Sequence, residues 1–304
     1  MTARRRFLSL AAATASSLLA APLLARTGAA VPAMTPGAAA IAAAGDFAAL
    51  EKASGGRLGV TLLDTATGRR IGHRQDERFP MCSTFKCVLA ATVLDKAAGG
   101  AFSLDQRLPI RAGDLAEHAP TTRRHAGKDL TVRDLCRTTM VTSDNPAANV
   151  LLRQVGGPAA VTAFLRAQGD AVTRNDRYEP EMNRFEPGDP RDTTSPAAMA
   201  ATLQRLVLGD GLTAASRQQL ADWLIDNETG DACLRAGLGP RWRVGDKTGS
   251  NGRDTRNDIA VLWPLQGGTP WVLTAYLQGA GVDSAQRDAV LARVGMLADA
   301  MVPG

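Results

Sequence analysis

Strand patterns stand at both ends of this chain and a long block of helix patterns lies between them. That order restricts the fold more than any other feature. Residues 57–64 and 69–74 read as two strands joined through Thr65-Ala66-Thr67-Gly68, a hairpin signal. Strand patterns return only at 242–247, 258–263 and 271–277, followed by an amphipathic helix over about 284–301. Between them, one helix opens near Ser83 and stops at Gly99-Gly100. Thr131-Val132-Arg133-Asp134 resembles a capping box opening 135–141, and Pro146 opens 147–155, which ends at Gly156-Gly157. Helix patterns over 159–168, 196–208 and 213–226 continue the block, and a short one over 46–54 precedes the hairpin. The expected class is α/β plus all-α: an antiparallel sheet flanked by helices, built from both ends of the chain, with a large inserted helical lobe. The α/β lobe takes 45–78 and 227–304, the all-α lobe 79–226, and a cleft between them is the natural place for a site. A length of 304 residues suits two lobes, and with aromatics at 4% the core must be built mostly from Ala, Leu and Val.

The first residues carry a different message. Ala3-Arg4-Arg5-Arg6-Phe7-Leu8 followed by an Ala/Leu-rich run to Ala25 reads as the charged and apolar regions of an export signal, residues 1–33, with cleavage between 25 and 33. The paired arginines resemble a twin-arginine leader, which exports proteins already folded and places this one in the periplasm. Pro22 and Arg26 interrupt the run short of a spanning length, so no stable membrane anchor is expected after cleavage. Residues 34–44 read as a flexible tether. The formal charge of +5 includes Arg4, Arg5, Arg6 and Arg26 of the leader; without those four it is +1, so no nucleic-acid partner is implied. Cys82, Cys87, Cys136 and Cys233, with His73, His118 and His125, show no metal-ligand spacing, and no metal or organic cofactor is expected. Cys82 and Cys87 would point to different sides of one helix and should not pair with each other.

The chemistry concentrates in three short motifs. Ser83-Thr84-Phe85-Lys86 runs into the apolar stretch Val88 to Leu94, and a spacing of three lets the ammonium reach the hydroxyl. Burial on that helix would lower the pKa of Lys86, which suits a proton acceptor, and the helix N-terminus offers N–H groups to an oxyanion. Taken alone, this is more often a buried helix with a capping serine. Ser143-Asp144-Asn145 lies just before Pro146. Asp or Asn there caps the next helix, while Ser143 can relay a proton and Asn145 can offer its amide to a substrate. Lys247-Thr248-Gly249-Ser250 closes a strand near the carboxyl end. An edge strand can bond an amide-bearing ligand, Lys247 can meet a carboxylate, and Gly249 gives clearance for close backbone approach.

In this order, Ser-x-x-Lys, Ser-Asp-Asn and Lys-Thr-Gly form the motif set of class A β-lactamases and penicillin-binding proteins. Over nearly its whole mature length the chain resembles a class A serine β-lactamase, whose fold is shared with penicillin-binding transpeptidases. Arg177-Tyr178-Glu179-Pro180-Glu181-Met182-Asn183 matches the Glu-x-x-Leu-Asn loop of that class, with Met for Leu, and Arg177 and Asp192 match the pair that clamps it. Asp246 and Arg256-Asn257-Asp258 also fall at comparable positions. The resemblance implies Ser83 as nucleophile, Lys86 (or Glu179 through water) as its base, Ser143 as proton relay, and Glu179 with Asn183 as holders of the deacylating water. His118, Asn145, Lys247, Thr248, Gly249, Ser250 and Arg256 are implied to bind substrate, Arg256 through its carboxylate. It also implies a cis bond before Pro180.

Some positions depart from the class. His118 stands where a tyrosine is common. Cys136 matches one end of a disulfide whose other position holds Ala90; Cys87 lies one turn earlier, leaving a bridge open. Cys82 precedes the serine as in some carbapenem-hydrolysing members, but its partner position holds Asn251, which argues against that activity. The expected function is hydrolysis of penicillins and cephalosporins by a monomer, conferring resistance. A DD-peptidase would share the three motifs but not the Glu179–Asn183 loop, and a penicillin sensor would need a membrane-spanning signalling segment.

Overall fold

The computed structural model describes residues 38–303. The expected leader, its cleavage site and the start of the tether lie outside them. Helix α1 (Ala38–Ser54) leads into β1 (Arg57–Asp64) and β2 (Arg70–His73), the expected hairpin. A two-residue strand β3 (Phe79–Pro80) precedes a 3₁₀ turn over Cys82–Thr84 and α2 (Phe85–Ala98). Short strands β4 (Arg107–Pro109) and β5 (Asp129–Thr131) pair ahead of α3 (Val132–Val141), α4 (Asn145–Val155) and α5 (Pro158–Ala167). After β6 (Thr193–Thr194), which pairs with β3, come α6 (Pro196–Leu203), continued by a π turn over Gln204–Leu208, then α7 (Ala214–Ile225) and the four-residue α8 (Leu234–Gly237). Strands β7 (Trp242–Ser250), β8 (Arg256–Pro264) and β9 (Trp271–Gln278) and helix α9 (Ser284–Met301) close the chain.

The five long strands form one antiparallel sheet in the order β2-β1-β9-β8-β7, so the two ends of the chain meet where Leu62 faces Leu273. Burial along β1, β8 and β9 is nearly continuous because both faces are covered. Leu58, Val60, Leu62, Ala260, Leu262 and Leu273 pack with Phe47 of α1 and Leu291 and Val294 of α9. The alternate residues Ile259, Val261, Val272 and Tyr276 join the core built by α2, α4 and α6. Each fully buried Leu or Val side chain contributes about 1.5–3 kcal/mol of transfer free energy, so this double cover fixes the register of the strands. The all-helical block therefore presses its most buried helix, α2, toward one face of the sheet, and β7 remains an edge strand.

Three local readings change. The tether expected over 34–44 is helical from Ala38, because an alanine-rich stretch has the highest helix propensity as well as a linker-like composition. Ser83 lies in a 3₁₀ turn ahead of α2 rather than in its first α turn. At Thr131 the hydroxyl accepts from Asp134 N and donates to the Asp134 carboxylate, so the reciprocal backbone bond of a capping box is replaced by a side-chain one. No helix among the described residues is long and apolar enough to cross a membrane.

Candidate active site

The turn before α2 is held from three directions. Met81 N donates to Asp192 O at 3.0 Å, Thr84 Oγ1 donates to Met81 O at 2.9 Å, and Asn257 Nδ2 donates to both Pro80 O and Met81 O. Cys82 is in the left-handed region at φ 44°, a strained conformation beside Ser83 that only such over-determined surroundings sustain. The strand β7 reaches this turn through Gly249. A Cβ there would come 2.8 Å from Met81 O and 3.2 Å from Ser83 N, so any side chain would push the strand away from the serine.

Lys86, the second residue of the buried helix α2, has no exposed surface. Its Nζ lies 2.6 Å from Asn145 Oδ1, 2.7 Å from Ser143 O and 3.0 Å from Ser83 Oγ. The first two are pure acceptors and take two N–H groups, which leaves the third tetrahedral position of the amine facing the serine hydroxyl. Burial pushes its pKa down, against an opposing pull from the Glu179 carboxylate 3.4 Å away. A neutral amine would turn its lone pair toward the Ser83 proton.

Ser143 bridges this lysine to a second one. It sits at φ 60° in the bend between α3 and α4, with Oγ 3.3 Å from Lys86 Nζ and 3.2 Å from Lys247 Nζ. Asp144 fixes the bend: it caps α4 through Ala147 N and also accepts from Thr121 N, Thr122 N and Thr122 Oγ1. With Asn145 Oδ1 committed to Lys86, its amide N–H groups remain for a ligand. Lys247 is fully buried, and desolvation, reinforced by the charge of Lys86, lowers its pKa to about 7.

Glu179 completes the constellation from a loop that does not share an element with any of these groups. Its Oε2 accepts from Asn183 Nδ2 at 2.6 Å, while Oε1, buried and without a hydrogen-bond partner, stands at ion-pair distance from Lys86. Asn149 of α4 clamps the Glu179 backbone twice, donating to its carbonyl at 2.8 Å and accepting from its N–H at 2.9 Å. The peptide before Pro180 is cis. Arg177 Nε donates to Asp192 Oδ2 at 2.6 Å, and Asp192 Oδ1 accepts from Asn175 Nδ2, Asp176 N and Arg177 N. Since Asp192 O also receives Met81 N, the loop and the serine turn share one anchor.

Ser83, His118, Ser143, Asn145, Asn183, Thr248, Gly249, Ser250 and Arg256 line a cavity of about 540 Å³, and Lys86, Glu179 and Lys247 are buried among its lining residues. All the residues singled out from the sequence thus meet at one place. His118 is at φ 55°, with Nε2 2.9 Å from Thr142 O, so that nitrogen carries the proton when it donates. Arg256 pairs with Asp288 of α9 at 2.5 Å, not with its sequence neighbours Asp254 or Asp258. Cys87, Cys136 and Cys82 are buried free thiols, so the bridge left open between Cys87 and Cys136 is not formed. Asn149, Asn257 and Asp288 were not singled out as site residues. Asn149 carried a signal, since it follows Asn145 by one helical turn on the same face of α4. Asp288 carried none.

A serine within reach of a desolvated lysine, a second serine between two lysines and a separate buried carboxylate are the groups that an active-site serine enzyme needs for acyl transfer to water. The model of the β-lactamase enzyme family matches residues 42–300, and the chain belongs to that family, within its class A serine branch. It is similar to β-lactamase L2 of Stenotrophomonas maltophilia, 70% identical over 302 residues that span 99% of this chain and 100% of that protein. Similarity to β-lactamase CTX-M-8 of Citrobacter amalonaticus is 49% over 76% of this chain and 79% of that one. Among solved structures, L2 complexed with relebactam superposes with a TM-score of 0.84 at 73% identity, covering 87% of this chain and 98% of that one. A β-lactamase from Xanthomonas campestris pv. campestris gives 0.86 at 56% identity, with 87% and 99% covered.

Proposed function

We propose that this chain hydrolyses the β-lactam amide of penicillins and cephalosporins through an acyl-enzyme on Ser83, and so confers resistance to those antibiotics. Lys86 takes the Ser83 proton as Oγ attacks the carbonyl carbon, and the backbone N–H groups of Ser83 and Ser250 hold the oxyanion, a contribution of about 10²–10³ in rate per donor. The C–N bond breaks as Ser143 passes a proton to the leaving nitrogen. A water between Glu179 and Asn183 then loses its proton to the carboxylate and attacks the ester, which frees Ser83. Neither step requires a metal or organic cofactor.

The observation that carries this reading is the Glu179 carboxylate, held on one oxygen by Asn183 and otherwise unbonded beside Lys86. A DD-peptidase would share the three motifs but not this Glu179–Asn183 loop. The test is a hydrolysis assay across several penicillins and cephalosporins with the Ser83→Ala variant alongside. Turnover by the natural chain and none by the folded variant is expected, and turnover by the variant would overturn the assignment. Carbapenem hydrolysis is not expected, because Cys82 has no thiol partner at Asn251. Export through the paired arginines, release of a monomer into the periplasm and the absence of a lasting membrane anchor belong to the same proposal. Replacing Arg4 and Arg5 by Lys should hold active enzyme in the cytoplasm; unchanged periplasmic activity would point to the general secretory route.

A further inference from the structure

A second cavity, of about 470 Å³, shares no lining residue with the one at Ser83. Phe185, Pro187 and Pro190 line it from the half of the loop that follows Asn183, and Arg78 lines it from the segment just before β3. Three other charged side chains border it, and each already has a partner. Arg57 Nη2 donates to Glu77 Oε2 at 2.7 Å, Glu77 Oε1 accepts from Arg74 Nη1 at 2.9 Å, and Asp189 Oδ2 accepts from Arg191 Nη2 at 2.7 Å. Arg78 is the exception. It is partly buried, and its Nη1 donates to two neutral acceptors, Val172 O and Thr193 Oγ1, each at 2.9 Å. Those two bonds use both Nη1 protons, so the Nε/Nη2 edge, with which a carboxylate pairs bidentately, has no partner among the described residues. Burial and the nearby charges of Arg174 and Arg166 push the pKa of Arg78 down, against a weaker opposing pull from Asp170 and Asp176. A guanidinium does not give up its proton, so the site keeps one positive charge that its surroundings leave unmatched.

We propose that this cavity binds a small amphipathic carboxylate, its head on the Nε/Nη2 edge of Arg78 and its apolar body against Phe185, Pro187 and Pro190. The fork selects a planar, singly charged head; a dianion would also meet Glu77 and Asp189 at the border. The volume lies within the range of small-molecule sites. Occupancy would also act on the loop. Thr193 Oγ1, which accepts from Arg78, donates to Pro190 O at 2.6 Å, so a ligand spanning Arg78 and Phe185 adds a second tie between the same two segments. Binding therefore favours the closed loop and slows its local opening. Neither the site nor its test depends on the reaction at Ser83.

The test is a titration of the chain with octanoate, followed through backbone amides by NMR, with octanol and octyl phosphate as controls. Octanoate should shift the amides of Phe185, Gly188 and Asp189 saturably and slow hydrogen exchange across that half of the loop. Octanol, which lacks the charge, and octyl phosphate, which carries too much, should each bind at least about tenfold more weakly, the worth of one charge-assisted hydrogen bond. Arg78→Lys keeps the charge but not the fork, and should weaken octanoate about tenfold. Because that substitution also disturbs the contacts to Val172 and Thr193, Phe185→Ala serves as a second variant that leaves them in place; it should weaken octanoate severalfold through lost apolar contact. Octanol or octyl phosphate binding as well as octanoate would overturn the proposal. So would undiminished affinity in both variants, or octanoate shifts confined to the Ser83 cavity around Lys247 and Arg256.

Discussion

The clamp on the Glu179 loop is an ion pair whose two halves should be unequal. Asp192 is 1% exposed at its side chain and accepts four hydrogen bonds, from Asn175 Nδ2, Asp176 N, Arg177 N and Arg177 Nε. Arg177 is 21% exposed and gives Asp192 only one of its side-chain bonds, the other going to Arg184 O. Breaking a buried pair by deleting one partner typically costs about 3–5 kcal/mol, because a buried charge is left uncompensated. Arg177→Ala leaves the Asp192 carboxylate with three donors, so its cost should be nearer that of one charge-assisted bond, about 1.5–3 kcal/mol. Asp192→Ala instead orphans two backbone N–H groups and a buried amide and releases the arginine to water. At about 1–3 kcal/mol for each of these three unsatisfied groups its cost should be at least about 3 kcal/mol. In a chain of this size about 1 kcal/mol moves Tm by roughly 2–4 °C, so thermal denaturation should separate the variants by several degrees. Hydrogen exchange over residues 175–183 is the sharper assay, because the loop can open without global unfolding. Equal losses, or a larger loss from Arg177→Ala, would refute the idea that Asp192 organises the loop through its backbone bonds.

Lys247 has a pKa held near 7 by burial and by Lys86, so its charge is lost as pH rises through that value. Because the charged form is the one that binds a carboxylate, kcat/KM for carboxylate substrates should fall above about pH 7. Lys247→Arg should move that fall to higher pH, since an arginine stays charged; an unmoved profile would assign the limb to another group. Gly249→Ala places a Cβ 2.8 Å from Met81 O and 3.2 Å from Ser83 N, both backbone atoms that cannot swing away. Acylation should slow by more than about 10², the typical loss of one oxyanion donor, with little change in Tm; a normal pre-steady-state burst would contradict this.

Where local pattern and tertiary packing agree, the residues were readable in advance. The apolar run of α2, the proline-opened helices α4 and α6 and the continuous burial of β8 and β9 announce their elements because each buries a whole stripe or both faces. The short pairs β3–β6 and β4–β5 and the four-residue α8 are too brief to carry a period and exist only because neighbouring segments hold them. The site was legible to the extent that its chemistry is local in sequence: Ser83 with Lys86, Ser143 with Asn145, Glu179 with Asn183. What was missed joins distant segments. Asn257 reaches the turn at Met81, Asp288 reaches Arg256, and the double clamp of Asn149 depends on a loop thirty residues away. Alanine illustrates the reverse ambiguity, since the composition that read as a tether before Ala44 is equally that of the helix found there.

The central claim is that Glu179 makes the second half-reaction fast. General-base catalysis typically contributes about 10²–10⁴-fold, so its removal should stall the ester while Lys86 still activates Ser83. Glu179→Ala exposed to a good penicillin substrate should therefore accumulate an adduct on Ser83, seen by intact-protein mass spectrometry as an increase equal to the mass of the drug. The natural chain under the same conditions should show almost none. A variant that turns over at the natural rate with no adduct, or a natural chain that itself stays acylated, would contradict the account.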